Sequence, residues 1–301
     1  MSTIHFNCPE CGSMIAFDSK HVGKSARCVK CGLHFLIPGK SNEKPFILRP
    51  PAEKAEPLPG FYKAFLVDSW KLFLSPENWL MLLVIFFLVV FKYFLGNAIC
   101  CMNFISLFLI WGWLFGYYML IIDHTGFGAD HLPEFYFGTS ITFFLEALKP
   151  IATFAYTFFL VEFPFFIAFY IFLHAGLIEE EFWHSYGVWE NILRLLILFG
   201  LFVFPMAVLT ISIGRDITLI LPHHLSYPII KKPGPYLLIF IFMSLTVFIK
   251  RHTGSFDINN IGSYAQISGE IALNLLVQVL AIVTMRGIGL FYRHFCCYLK
   301  W

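Results

Sequence analysis

Between Trp79 and Leu95 the chain reads WLMLLVIFFLVVFKYFL, seventeen residues with one charge, Lys92. As a helix rising ~1.5 Å per residue this stretch is about 25 Å long, close to the hydrocarbon thickness of a bilayer. A span this apolar decides where the rest lies: the residues before it stay on one side of a membrane, and the hydrophobic segments after it thread the same bilayer. Composition agrees. The 301 residues are 58% hydrophobic and only 13% charged, about half the roughly 25% charge of a soluble domain. Such a chain cannot cover itself with polar surface, which argues against a soluble globular protein. Aromatic residues reach 19%, with Phe used 37 times, which suits lipid-facing helices. The net charge of +2 is too mild to argue for nucleic acid.

Hydropathy predicts a mainly α fold, a polytopic transmembrane helical bundle of about six spans over residues 61–301. The spans are Trp79–Leu95, Phe104–Ile122, Pro150–Phe172, Asn191–Ile213, Pro235–Ile249 and Ile271–Leu290. Pro235–Ile249 is the shortest, and a re-entrant course for it would leave five. No secretory signal peptide precedes Trp79, so the first span is expected to act as an uncleaved signal anchor. Phe61–Leu74 reads as an amphipathic helix in the interface, with Trp70 and Trp79 at headgroup level. Thr139–Lys149 reads as a surface helix and Arg215–Pro233 as a half-apolar loop. Lys63, Lys71, Lys149, Arg215, Lys231, Lys232, Arg286, Arg293 and Lys300 gather on one side, whereas Arg194, Lys250 and Arg251 fall on the other with Glu179-Glu180-Glu181. The positive-inside rule then places both termini in the cytoplasm, with the protein multi-pass in the cell (inner) membrane.

Residues 1–38 form a separate unit. Cys8-Pro9-Glu10-Cys11-Gly12 and Cys28-Val29-Lys30-Cys31-Gly32 are two C-x2-C-G knuckles, sixteen residues apart. That is the spacing of a zinc ribbon. Zn²⁺ takes four thiolates tetrahedrally, and two intervening residues let both sulfurs of a pair reach one ion. Gly12 and Gly32 permit the positive φ that turns the chain back. The alternative is a small disulfide module, but a core this small needs the ion to fold. Ile4-His5-Phe6, Met14–Phe17 and His34–Ile37 supply strands. Thiolates also require a reducing compartment, which agrees with a cytoplasmic N-terminus.

The stretch FNCPECGSMIAFDSKHVGKSARCVKCGLHFLIP resembles the finger-like zinc-ribbon domain found at the N-termini of many uncharacterised bacterial multi-pass membrane proteins. The likeness lies in the aromatic before the first knuckle, the Val22-Gly23-Lys24 turn, Arg27 before the third cysteine and the closing Ile37-Pro38; Val29 stands where the family often has proline. The resemblance implies one structural Zn²⁺ on Cys8, Cys11, Cys28 and Cys31. More loosely, Leu132-Pro133-Glu134, Pro233-Gly234-Pro235-Tyr236 and Arg286–His294 resemble the polytopic domains that accompany such ribbons, with no activity attached. Residues 39–60, rich in Pro, Lys and Glu, read as an extended linker.

Glu162 falls near the middle of the third span, two residues before Pro164. A carboxylate there costs roughly 2.5–3.5 kcal/mol on insertion scales, so it is expected to face the protein interior as a proton or cation site, as a neutral partner to a neighbouring helix, or as a cap for the kink that Pro164 makes. Glu270, Asn274 and Gln278 recur every four residues on one helix face, as a polar path or as interhelical hydrogen bonding. Asp123, His124, Asp130, His131, Glu134, His223 and His224 fall in loops on the inner side without any catalytic motif. An enzyme is therefore not expected. The vicinal pairs Cys100-Cys101 and Cys296-Cys297 read as packing residues. The sequence supports a membrane-anchored scaffold that presents the ribbon to a cytoplasmic protein partner. The alternative is a carrier of a small solute, ion or lipid; nucleic acid is not expected as the partner of a tethered ribbon.

Overall fold

The computed structural model of the protein describes residues 3–8, 12–28, 34–39, 45–48, 57–95, 101–134, 141–178, 187–214, 222–254, 256 and 263–299, without the side chains of 34, 46–48, 101–107, 141–147 and 222–224. Among these residues the fold is mostly helical, with two small sheets at the N-terminus.

Strands β1 (Thr3–Asn7) and β2 (Met14–Asp18) pair antiparallel, Ile4 opposite Phe17 and Phe6 opposite Ile15. The second sheet has the order β3 (Ser25–Arg27), β4 (His34–Leu36), β5 (Phe46–Leu48), also antiparallel. Alternation in β1 puts Ile4 and Phe6 inward and Thr3, His5 and Asn7 outward, as expected of a half-buried strand. Phe6 meets Phe35 edge-to-face at 5.3 Å and stacks on Phe17 at 6.3 Å. The Val22–Lys24 turn is closed by reciprocal backbone bonds with Ile37, and Gly23 adopts φ +74° within it. Strand β5 lies inside the 39–60 segment read as a linker; Phe46-Ile47-Leu48 are strong strand formers and extend the sheet from β4.

The helices follow. A segment over 61–74 is α-helical at α1 (Phe61–Lys63) and α2 (Ser69–Leu74), with a π-helical turn at Ala64–Asp68 between them. Then come α3 (Trp79–Leu95), α4 (Cys101–Gly126), α5 (Ile141–Val161), α6 (Phe163–His174), α7 (Val188–Leu209), α8 (Pro222–Lys231), α9 (Pro233–Arg251) and α10 (Tyr264–Phe295). Among the described residues, four helical stretches are long and apolar enough to cross a membrane: Pro76–Leu95, Val188–Gly214, Pro233–Arg251 and Tyr264–Tyr298. Counting the pair α5–α6, bent by 58°, as one broken span makes five. This is fewer than the six expected. The expected span not among them is Phe104–Ile122, which lies in α4, where the side chains of 101–107 are outside the described residues. Pro235–Ile249, the shortest expected span, belongs to a 19-residue helix that qualifies.

Two further boundaries differ from expectation. The surface helix expected at Thr139–Lys149 runs on into the first half of the following span as one helix, α5, because Pro150 is accommodated inside it. The loop expected at Arg215–Pro233 contains α8, begun by Pro222 at a position where proline suits a helix start.

The central element is α10. Its apolar window is 67% buried, against 22–39% for the other three qualifying helices. It packs on α3, α4, α7 and α9. Two glycines let it approach α4 closely: a Cβ at Gly289 would lie 2.7 Å from the Ile122 carbonyl oxygen and 3.2 Å from the Gly126 nitrogen. Small residues at such crossings are how helices associate where no water drives them together. The outward faces are apolar instead of charged, with Phe87, Phe91, Phe159, Phe199, Ile241 and Phe248 all exposed. Lys92 is buried, its ammonium 4.3 Å from the Trp111 ring centre, a cation–π contact between α3 and α4.

The amphipathic segment 61–74 docks on the bundle. Phe61, Phe65 and Leu72 are buried, and Phe65 fills the space over Gly287 of α10. Leu66, Trp70 and Leu74 face outward. Asn78, fully inside, ties the segment down: its amide donates to the Leu72 carbonyl at 2.9 Å and accepts from the Leu132 N–H at 3.0 Å. A Cβ at position 287 would overlap the Phe65 ring, so Gly287→Ala is expected to cost about 1–3 kcal/mol through overpacking. In a Phe65→Leu background the same substitution should cost less, and thermal unfolding of the four proteins in detergent checks this. Equal costs in both backgrounds would show that the ring is not what the glycine accommodates.

Candidate functional site

The N-terminal unit brings two of the four expected metal ligands together. Cys8 directly follows β1 and Cys28 directly follows β3, so each knuckle begins where a strand ends. In the first turn the Cys8 N–H donates to the Ser13 carbonyl and the Gly12 N–H to the Cys8 carbonyl, both at 2.9 Å, with Gly12 at φ +66°. The hydroxyl of Ser13 lies 3.6 Å from the Cys28 sulfur, so the first knuckle touches the second. Both cysteines are thiols buried in the small core of Ile4, Phe6, Phe35 and Ile37. Cys11, Cys31 and Gly32 lie outside the described residues. Among the described residues no three His, Cys, Asp or Glu side chains converge as a metal site. The described half of the donor set is two buried thiols in one small core, and thiolates are donors that Zn²⁺ takes.

Glu162 occupies the break between α5 and α6. Its backbone, at φ −86° and ψ 4°, leaves the helix for one residue, and Pro164 sits in the first turn of α6. The side chain makes no capping bond to that helix. The carboxyl is instead buried against α7, where Gly200 leaves it room; a Cβ there would overlap the carboxyl. Its Oε2 has no hydrogen-bond partner among the described residues. A buried acceptor in this state carries a desolvation cost that a proton or a cation would relieve.

The Glu270, Asn274 and Gln278 face of α10 meets three different partners. Glu270 accepts from the Gly254 N–H at 2.7 Å. Asn274 donates to the Gly254 carbonyl at 3.2 Å and accepts from the Lys250 ammonium at 3.4 Å. Gln278 accepts from the Tyr118 hydroxyl. The first two hold the end of α9, and the third crosses to α4. Glu162 is not joined to this face by any of these bonds.

The polar cluster expected in the inner loops divides. Asp123 and His124 are the last turn of α4 instead of loop residues. Asp130 is ion-paired with Arg286 and Arg293. The His223 and His224 side chains lie outside the described residues. Sequence reading missed the pairing of Asp130 with the two arginines, which stand seven residues apart on one face of α10; that spacing was the available signal. It also missed Gly200, whose role depends on a partner 38 positions away.

His124 is 5% exposed, and its Nδ1 has no partner among the described residues. Burial, aided by neighbouring His131, pushes its pKa down to about 4. An unfolded histidine titrates near 6.5, so between about 6.5 and 4 the unfolded chain binds the extra proton. Stability should therefore fall as pH drops through that window, by up to about 3 kcal/mol, and level off below it. The measurement is thermal midpoint against pH in detergent, and His124→Leu should flatten this part of the profile. No protein-family model, curated protein or solved structure matches the chain, so these sites are read from its own residues.

Proposed function

We propose that this chain is a membrane-anchored scaffold that presents an N-terminal zinc ribbon to a cytoplasmic protein partner, with both termini in the cytoplasm of a bacterial cell. One structural Zn²⁺, held by Cys8, Cys11, Cys28 and Cys31, would clamp the two knuckles and supply no reaction. The observation that carries the reading is the attachment of the arm. The Leu58 N–H donates to the His294 carbonyl at 2.9 Å, and the His294 Nδ1–H donates back to the Leu58 carbonyl at 3.0 Å. Phe61 then packs against His294 and Phe295. The point where the arm leaves the helices is thereby set by two bonds and a cluster of rings, which suits a bundle whose task is to hold a module in place. The exposed apolar faces of α3, α7 and α9 suit contact with lipid.

Full-length protein purified in detergent should contain one zinc per chain, and Cys8→Ser or Cys28→Ser should abolish it. Affinity capture should then yield a partner with the wild type and lose it with either variant. Absence of stoichiometric zinc, or capture indifferent to both substitutions, would refute the reading.

The unpartnered carboxyl of Glu162 at a broken span favours a second reading, a carrier of protons or small cations. Proteoliposomes holding a pH-sensitive dye should then dissipate an imposed pH gradient, and Glu162→Ala should stop them. Flux no greater than in empty vesicles would remove the carrier and leave the scaffold.

A further inference from the structure

At the end of α10 that carries the Leu58 bonds, a cleft of about 650 Å³ opens between 58–60, the helical segment 61–74 and Asp130. Lys71, Arg286 and Arg293 border it, together with Asp68 and Asp130. Three cations face two carboxylates, so the cleft carries one net positive charge with His294 counted as neutral. The charges are unevenly served. Asp68 is taken by Lys71, whose ammonium donates to it at 2.7 Å. Both arginines share a single oxygen, Oδ1 of Asp130, at 3.4 Å from Arg286 and 3.1 Å from Arg293. Charge-assisted bonds of this kind normally close to about 2.7–2.9 Å.

Arg286 is the anomaly. Its side chain is 3% exposed, while that of Asp130 is 69% exposed. The Arg286 Nε is buried without a hydrogen-bond partner among the described residues. A guanidinium offers five donors and cannot shed its charge. Leaving a buried donor of such a group unserved is costly, and a second anion in the cleft would relieve that cost. Asp130 is held near the arginines from outside by the turn at Gly128, φ +97°, where a Cβ would lie 4.0 Å from the Arg293 Cζ. Being exposed, it can yield its place.

We propose that this cleft binds a phosphate-bearing anion, with Arg286 and Arg293 as the principal donors, Lys71 as a third charge and Asp130 as a built-in competitor. Phosphate fits better than a lone carboxylate because the cations come from two elements and the volume far exceeds a carboxylate group. Arginine forks also match phosphate oxygens in pairs. Leu58, Pro59, Leu72 and Leu290 give the cleft an apolar wall. The same chemistry is presented by a free phosphate compound and by the headgroup of an anionic phospholipid, which lies at the depth where a span ends.

The test uses full-length protein and two probes. Inorganic phosphate is titrated against the detergent-solubilised protein at constant ionic strength, with chloride as control. Nanodiscs of phosphatidylglycerol are compared with nanodiscs of phosphatidylcholine alone. The readout is the thermal midpoint and the concentration of anion that raises it halfway. Stabilisation by phosphate in detergent assigns the site to a soluble ligand; stabilisation only by phosphatidylglycerol assigns it to a headgroup. Arg293→Gln should weaken the response roughly tenfold, the worth of one charge-assisted bond. Asp130→Asn should strengthen it, a direction that simple loss of an ion pair does not produce. If Arg286→Gln fails to fold, Arg293→Gln and Lys71→Gln still decide the matter. No stabilisation by either probe, a response unchanged in Arg293→Gln, or weakening in Asp130→Asn would overturn the proposal.

Discussion

The close approach of α4 and α10 sets the positions of the other elements. Gly126 and Gly289 remove the side chains that would hold the two backbones apart, and Ile122, Ile213 and Tyr292 close around the contact. Among helices with apolar outer faces, burial of oily surface gives little preference for one neighbour over another, so shape and close contact decide. Once α10 is placed, α3, α7 and α9 pack around it, and Gly287 on the same helix receives Phe65. The N-terminal segment is thus positioned by the helix farthest from it in sequence.

Polar groups are then sorted by position along α10. At one end Glu270 and Asn274 hold Gly254, just past α9, and midway Gln278 reaches Tyr118. At the other end Arg286 and Arg293 meet Asp130, and His294 meets Leu58. Most of these groups have partners on other elements, which is what a low dielectric demands. Glu162 Oε2 and Arg286 Nε are exceptions: one is an acceptor and the other a donor, and each lies at a structural discontinuity, the bend of α5–α6 and the rim of a cleft. Buried groups left in this state mark places where a ligand or a proton has something to satisfy.

Much of this was legible in the residues. The apolar run of α3, the helix from Pro233 and the broken helix at Glu162-Phe163-Pro164 follow from hydropathy and proline chemistry, which act within a few residues. The turn of the first knuckle follows from Cys8 and Gly12 for the same reason. Less legible was the far end of α4, where the helix continues through Asp123 and His124, and no local window reports that His124 is buried. Likewise Phe46-Ile47-Leu48 sits among prolines and lysines, and becomes a strand because β4 offers it an edge.

The sequence by itself determined the chemical kinds: an apolar helical chain, a cysteine-bearing β unit ahead of it, and a small set of charges too costly to leave unpartnered in lipid. Those follow from composition and from spacing along one strand or one helix. Only the tertiary structure decided which charges meet. Asp130 and Arg293 are 163 positions apart, Leu58 and His294 236, and Glu162 and Gly200 share no pattern. Their contacts arise from the crossing of helices, and a crossing depends on the absence of a side chain at a few glycines, a feature with no periodicity to read.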